Sequence, residues 1–277
     1  MIKITPGELK VFIPYVNKLT GIFLDQSKAY LFEGRLAPLL RTNNCSTYTE
    51  LYTKSRNDYA KNIEKSIIDA ITTNETYFFR DKIPFDLLKF KILPEHIDKI
   101  KSANGTQPKL SIWSAACSTG QEIYSVAMVL KEMIPNIARW QISLIGSDIS
   151  DAAVKKATKG CYTQAEVERG MERSQIQKYF TQDDSQWKIQ DELREMVQFR
   201  RGNLLQPLLG LPKFDIILAR NVAIYFTRED RKIMYNLIAN QLKPGGSLMI
   251  GASESLMGIT DRFQIQNYMN STYYALK

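Results

Sequence analysis

Histidine is nearly absent from this chain, and its single instance, His96 in the stretch LPEHIDKI, removes whole classes of chemistry. Hydrolases of the Ser-His-Asp or Cys-His kind need that residue beside a nucleophile, and no Gly-x-Ser-x-Gly turn accompanies it. Cysteine is sparse too. Cys45, Cys117 and Cys161 are scattered, so neither a disulfide framework nor a zinc site at any standard spacing is expected, and no metal ligands are assigned. A Walker loop and a Gly-x-Gly-x-x-Gly fingerprint are both missing, which argues against nucleoside triphosphates and NAD. The longest apolar stretches, Leu110–Cys117 and Ile216–Ala219, fall far short of the ~20 residues that span a bilayer, so no membrane insertion is expected. The opening MIKITPGELK lacks the apolar region of an export signal, and with unpaired thiols this predicts a cytoplasmic protein. His96 itself reads as a helix-surface residue.

The composition is that of a folded protein. Hydrophobic residues make up 44% and charged residues 24% of 277, enough for one large domain or two modest ones. The net charge of +8 is diffuse: residues 1–72 hold ten basic and seven acidic groups, and residues 151–205 hold ten and nine. No dense Lys/Arg stripe with interleaved aromatics is present, so nucleic acid is not expected as a partner.

Residues 1–72 read as a small all-helical domain. Thr5-Pro6-Gly7-Glu8 and Thr47-Tyr48-Thr49-Glu50 are capping boxes, the first with Pro at the opening helical position and Gly21 as a stop. A second helix is expected over about 26–41, with Tyr30, Leu31, Leu36, Leu39 and Leu40 near one face, and a fourth over about 59–71. After a loop signature at 102–109 the pattern changes to alternating strands and helices. Strands are expected at Leu110–Ser114, Gln141–Ser147, Met196–Arg200, Phe214–Ala219, Ser247–Ala252, Phe263–Asn267 and Tyr273–Leu276, with helices at Gly120–Met133, Ser150–Lys159 and Arg228–Leu242. This alternation predicts an α/β fold with a mostly parallel, doubly wound sheet. One stretch interrupts it: Asp183-Asp184-Ser185 lies between Tyr179-Phe180 and Trp187-Lys188-Ile189, which predicts an inserted antiparallel hairpin within about 178–200.

Ligands of such a sheet sit at the carboxyl ends of its strands. The first strand runs into Ala115-Ala116-Cys117-Ser118-Thr119-Gly120, small residues that let a backbone approach a ligand, followed by a helix N-terminus. The second ends at Asp148, a carboxylate placed to accept from ribose hydroxyls or to cap the next helix. The third ends in Arg201-Gly202-Asn203-Leu204 and the fourth in Arg220-Asn221, while Thr73–Asp81 brings further polar groups from the junction of the two domains.

Six ordered stretches, TNETYFFRD, WSAACSTGQEIYS, GSDIS, GNLL, ARNVAIYF and PGGSLMIGASESL, together resemble the CheR-type chemotaxis receptor methyltransferases over nearly the whole chain. The resemblance implies a Rossmann-like methyltransferase domain at 73–277 that takes S-adenosylmethionine and releases S-adenosylhomocysteine. Its substrates would be glutamate side chains on the cytoplasmic helices of methyl-accepting chemotaxis receptors. It further implies that Asn74, Thr76 and Arg80 lie over the methionine part of the cofactor, that Glu122 meets its amino group and that Asp148 binds the ribose. Asn203 and Leu204 would face the adenine, Arg220 and Asn221 would complete the site, and Tyr225 would stand with Arg80 near the transferred methyl group. Members that dock on a receptor tail carry a longer, glycine-bearing hairpin loop; here TQDDSQ is short and has no glycine, so tail binding is not expected. Two other readings share features with this one: a nucleic-acid methyltransferase, which lacks its Asn-Pro-Pro-Tyr-type tetrapeptide after the fourth strand, and a cofactor-binding scaffold without turnover.

Overall fold

Helix α1 (Pro6–Thr20) begins where the local chemistry asks it to. The Thr5 hydroxyl accepts from the Glu8 amide at 3.3 Å, Glu8 accepts from the Thr5 amide at 2.8 Å, and Gly21 closes the helix at φ 75°. The Glu8 carboxylate also accepts from the Tyr48 and Thr49 amides, so one side chain caps two helices. The second capping box is only half formed: Thr47 accepts from Glu50, but the Glu50 carboxylate turns to the Ser46 amide instead. Helices α2 (Ala29–Thr42), α3 (Tyr48–Asn57) and α4 (Asn62–Ile71) complete a bundle around Phe12, Phe32, Leu36, Leu40, Tyr48 and Leu51, all fully buried. Tyr30, expected on the apolar face of α2, is instead exposed.

The computed structural model describes residues 2–102 and 107–277; the loop expected over 102–109 lies partly outside the described residues. Among them, the main sheet has seven strands in the order β6-β2-β1-β7-β8-β10-β9. These are β1 Lys109–Ala115, β2 Gln141–Asp148, β6 Val197–Arg201, β7 Phe214–Ala219, β8 Leu242–Ile250, β9 Phe263–Tyr268 and β10 Ser271–Leu276. The first five in space run parallel, and β10 is antiparallel to both of its neighbours. β7 is buried at every position, as a strand covered on both faces must be. Strand order reverses beside β1, which puts the switch point between β1 and β7. Among the described residues no helix is long and apolar enough to cross a membrane.

The expected hairpin is present as β4 (Phe180–Asp183) and β5 (Gln186–Ile189), and β5 also pairs with β3 (Cys161–Thr163) to make a separate three-stranded antiparallel sheet. That sheet begins well before residue 178, while Val197–Arg201 belongs to the main sheet. Helices Gln164–Glu168 and Arg173–Tyr179 between β3 and β4 were not legible as alternation. Neither was the helical stretch Lys82–Ser102, which contains one π-helical turn at Leu88–Ile92.

That stretch corrects the placement of His96. Leu93, His96 and Ile97 share one helix face by their spacing, and that face is buried; His96 is 6% exposed and its Nε2 lies 3.0 Å from the Ser247 hydroxyl on β8. Burial pushes its pKa below the usual 6.5, against the opposing pull of Asp215. Above pH 6.5 neither folded nor unfolded chain holds the proton, so the ring has no effect there. Below it the unfolded chain protonates first, and the native state loses up to about 1.4 kcal/mol per pH unit until the folded pKa is reached. Urea unfolding of wild type and His96→Gln between pH 7.5 and 5.5 should show the wild-type advantage shrinking as pH falls; a constant difference would mean that the buried ring does not titrate late.

Candidate active site

The loop after β1 is wound tightly, with Ala116, Ser118 and Gly120 all left-handed at φ 62°, 50° and 95°. Non-glycine residues in that region cost of order 1 kcal/mol each and persist where the surroundings hold them. Here the holder is Asp148 at the end of β2: one carboxylate oxygen accepts from the Ser118 amide at 2.8 Å and the other from the Ser150 amide at 2.9 Å. Ser150, not Asp148, caps the following helix. Asp148 is 7% exposed, and burial pushes its pKa up while the Ser150 and Ser118 amides pull it back. A carboxylate has about four acceptor positions. Two are used, leaving capacity toward the cleft.

Arg220 leaves β7 with 1% of its side chain exposed. Nη1 donates to Glu122 at 2.9 Å, and Nη2 donates at 3.0 Å both to Asp81 and to the Arg80 carbonyl. Nε finds no partner among the described residues. Glu122, in the first turn of helix Gln121–Met133, also accepts from the Ser114 hydroxyl at 2.8 Å.

The segment 73–81 is irregular and two-sided, turning at Phe78–Phe79 with Phe79 and Asp81 left-handed at φ 52° and 58°. Phe78 is buried edge-on against Tyr162 and Phe180 at 5.0 and 5.3 Å, which anchors the segment to the smaller sheet. Asn74, Glu75, Thr76 and Arg80 face a cleft of about 900 Å³, part of it open to solvent. Asp148, Glu122, Arg220, Asn221 and Tyr225 line the same cleft, as do Ala116, Cys117 and Ser118. Eight of the ten expected site residues are therefore brought together. Asn203 and Leu204 are not. The Asn203 side chain donates to the Leu19 carbonyl at 3.2 Å and accepts from the Leu205 amide, and Leu204 is buried in the core with Trp113 and Phe214. Neither lines this cleft; Asn203 lines an adjoining groove that shares Ile149 with it.

Two contributors went unnoticed in the sequence. The helical bundle supplies Thr20 and Ile22 to the cleft wall, where Ile22 bridges Phe226 and the Phe23 amide donates to the Tyr225 carbonyl at 2.8 Å. Glu254, in the loop after β8, accepts from four backbone amides: Gly251 at 2.6 Å, Ala223 at 2.7 Å, Asn221 at 2.9 Å and Val222 at 3.0 Å. This carboxylate shapes the turn carrying Asn221, itself left-handed at φ 57°. Gly251 has to be glycine, since a Cβ there would stand 2.7 Å from the Glu254 carboxylate and 2.9 Å from the Asn221 amide. A signal existed in PGGSLMIGASESL, where an acidic residue follows a strand-end glycine by three positions, but nothing local says which amides it will meet.

Replacing Glu254 by Ala strips four amides of one acceptor and should destabilise the protein by about 2 kcal/mol, within the range for hydrogen bonds to a charged group. Urea unfolding reads the loss, and hydrogen exchange should localise it to residues 221–223. Unchanged exchange at those amides would show that the turn holds itself.

Comparison with known proteins identifies the family. Residues 74–272 match the family model described as CheR methyltransferase, SAM binding domain, and residues 7–72 match CheR methyltransferase, all-alpha domain. The chain is 34% identical over 274 residues to the chemotaxis protein methyltransferase Cher2 of Pseudomonas putida, covering 98% of each. It is 35% identical over 275 residues to chemotaxis protein methyltransferase 1 of Pseudomonas aeruginosa, again 98% of each. With the chemotaxis protein methyltransferase of Vibrio anguillarum the identity is 36% over 285 aligned residues, 100% of this chain and 99% of that one. Two matched domains that together span the helical bundle and the cleft, and relatives matched end to end, make this chain a member of the CheR family of S-adenosylmethionine-dependent methyltransferases.

Proposed function

We propose that this protein transfers a methyl group from S-adenosylmethionine to glutamate side chains on the cytoplasmic helices of chemotaxis receptors, with residues 1–72 and 73–277 as its two domains. What supports the reading is the set of groups in one cleft. Asp148 keeps acceptor capacity suited to two ribose hydroxyls, Glu122 offers a carboxylate to an ammonium group, and the orphaned Nε of Arg220 marks a polar environment that protein atoms alone leave incomplete. These residues fit S-adenosylmethionine. Bound there, it supplies a methyl carbon made electrophilic by the adjoining sulfonium.

The chain's own work is then orientation and exclusion of water. A glutamate side chain, with an unperturbed pKa near 4.3, is ionised at neutral pH, so no general base is required and the buried His96 has no part to play. Arg80, at the cleft and held by its own bond to the Glu75 carbonyl at 2.7 Å, orients the incoming carboxylate by paired hydrogen bonds. Tyr225 meets its other oxygen. Alignment of nucleophile and methyl carbon, rather than proton transfer, carries the rate. Asn74, Thr76 and Asn221 complete the cofactor contacts from the two sides of the cleft. Receptor recognition falls to the helical bundle and the cleft rather than to a receptor tail on the short hairpin.

Asp148→Ala should weaken binding of S-adenosylhomocysteine by about 1.5–3 kcal/mol in calorimetric titration, with circular dichroism unchanged. Equal affinity in the folded variant would remove Asp148 from the site. His96→Gln should keep receptor methylation within about twofold of wild type, against the 10²–10⁴-fold loss typical of an acid–base residue. A hundredfold loss in folded protein would end the base-free mechanism.

A further inference from the structure

Arg169 stands just past helix Gln164–Glu168, between β3 and β4, far in sequence from the segment it touches. Its guanidinium lies 4.6 Å from the centre of the Tyr77 ring, and Arg80 lies 5.9 Å from the same ring. One tyrosine thus carries two arginines at the rim of the cleft. The mount is rigid: a Cβ on Gly170 would fall 1.8 Å from the Phe78 carbonyl oxygen, so the two backbones are in direct contact.

Among the described residues, the only carboxylate holding either arginine is that of Glu75, 2.7 Å from Arg169 Nη2; Arg80 donates to the Glu75 backbone carbonyl alone. The three side chains leave one positive charge in excess. Both members of the ion pair are more than half exposed, 53% for Arg169 and 58% for Glu75. Exposed pairs of this kind contribute little to stability, so an incoming carboxylate can displace Glu75 at small cost. A stacked, planar guanidinium has already given up much of its freedom and suits bidentate recognition of a carboxylate.

We infer that Arg169 is a specificity-determining residue that receives a second acidic side chain of the methyl-accepting protein, with Glu75 keeping its place until the acceptor binds. This rests on the protein-glutamate reading above and adds to it. One acceptor carboxylate goes to Arg80 for methylation, and a neighbouring one settles on Arg169. The cleft would then favour glutamates lying beside another acidic residue over isolated ones. No covalent step is involved at Arg169 itself.

Full-length variants decide this with a purified chemoreceptor cytoplasmic fragment and S-adenosylmethionine carrying a labelled methyl group. Arg169→Gln should raise the acceptor KM about tenfold while kcat stays within about twofold and calorimetric affinity for S-adenosylhomocysteine is unchanged, the signature of lost ground-state binding. Arg169→Lys should restore part of the KM, keeping the charge without the planar fork. Glu75→Gln should move KM the other way, lowering it two- to threefold, and high salt should shrink all these differences. A strut that merely braces the segment 73–81 would make both Arg169→Gln and Glu75→Gln raise KM, and that result overturns the inference. So does an Arg169→Gln KM within twofold of wild type. Wild-type protein that binds cofactor yet labels no glutamate ends the inference and the reading beneath it together, whereas labelling with an unmoved KM ends the inference alone.

Discussion

A guanidinium is charged at every pH a folded protein meets, and Arg220 keeps 99% of its side chain from solvent. Such a charge is tolerated only where carboxylates and carbonyls surround it, because desolvation costs more than one contact returns. The three partners come from two places: Glu122 from the helix after β1, and Asp81 with the neighbouring Arg80 carbonyl from the segment 73–81. Arg220 therefore ties the end of β7 to both walls of the cleft. A buried ion network of this kind is weak as a source of stability and strong as a fixer of register. If Glu122 moves, Nη1 of a buried guanidinium is left without its acceptor.

Glu254 does the same for the backbone that Arg220 does for side chains. Four amide donors on one carboxylate hold Asn221, Val222 and Ala223 in a turn that the chain would not adopt by propensity, with Asn221 left-handed. The same turn leads to Tyr225, whose carbonyl receives the Phe23 amide from the helical bundle. On the other side Asp69 of α4 accepts from the Ser150 hydroxyl and the Ala152 amide, at the N-terminus of the helix after β2. The bundle is thus pinned at both ends of the cleft, and Thr20 and Ile22 become part of its wall.

Local chemistry was legible where one residue decides the outcome. Thr5, Glu8 and Gly21 announce α1, the apolar run Ile216–Ala219 announces a buried strand, and strand-end polar residues announce a site. What the sequence concealed depends on partners distant in the chain. His96 looked like a surface residue because no local signal says which face of its helix meets β8. Asn203 stands at a strand end as a ligand-binding residue would, but its side chain is taken by the Leu19 carbonyl, a contact across 184 positions. β3 is three residues long, too short for any alternation to show, and exists because β5 offers it an edge.

The absence of a histidine base and the strain of the cleft loops belong to one economy. Methylating a carboxylate asks for no proton to be moved, so the site has no need of a group that titrates near neutrality. It asks for three atoms held in line, and alignment comes from rigidity. Left-handed Ser118 and Asn221 are each clamped by a carboxylate, the first by Asp148 and the second by Glu254. Arg80, half-exposed at the rim, is steadied by the Glu75 carbonyl and the Tyr77 ring rather than by a carboxylate of its own. The acidic side chains of this cleft hold the scaffold, while Arg80, among the described residues, has no carboxylate partner of its own.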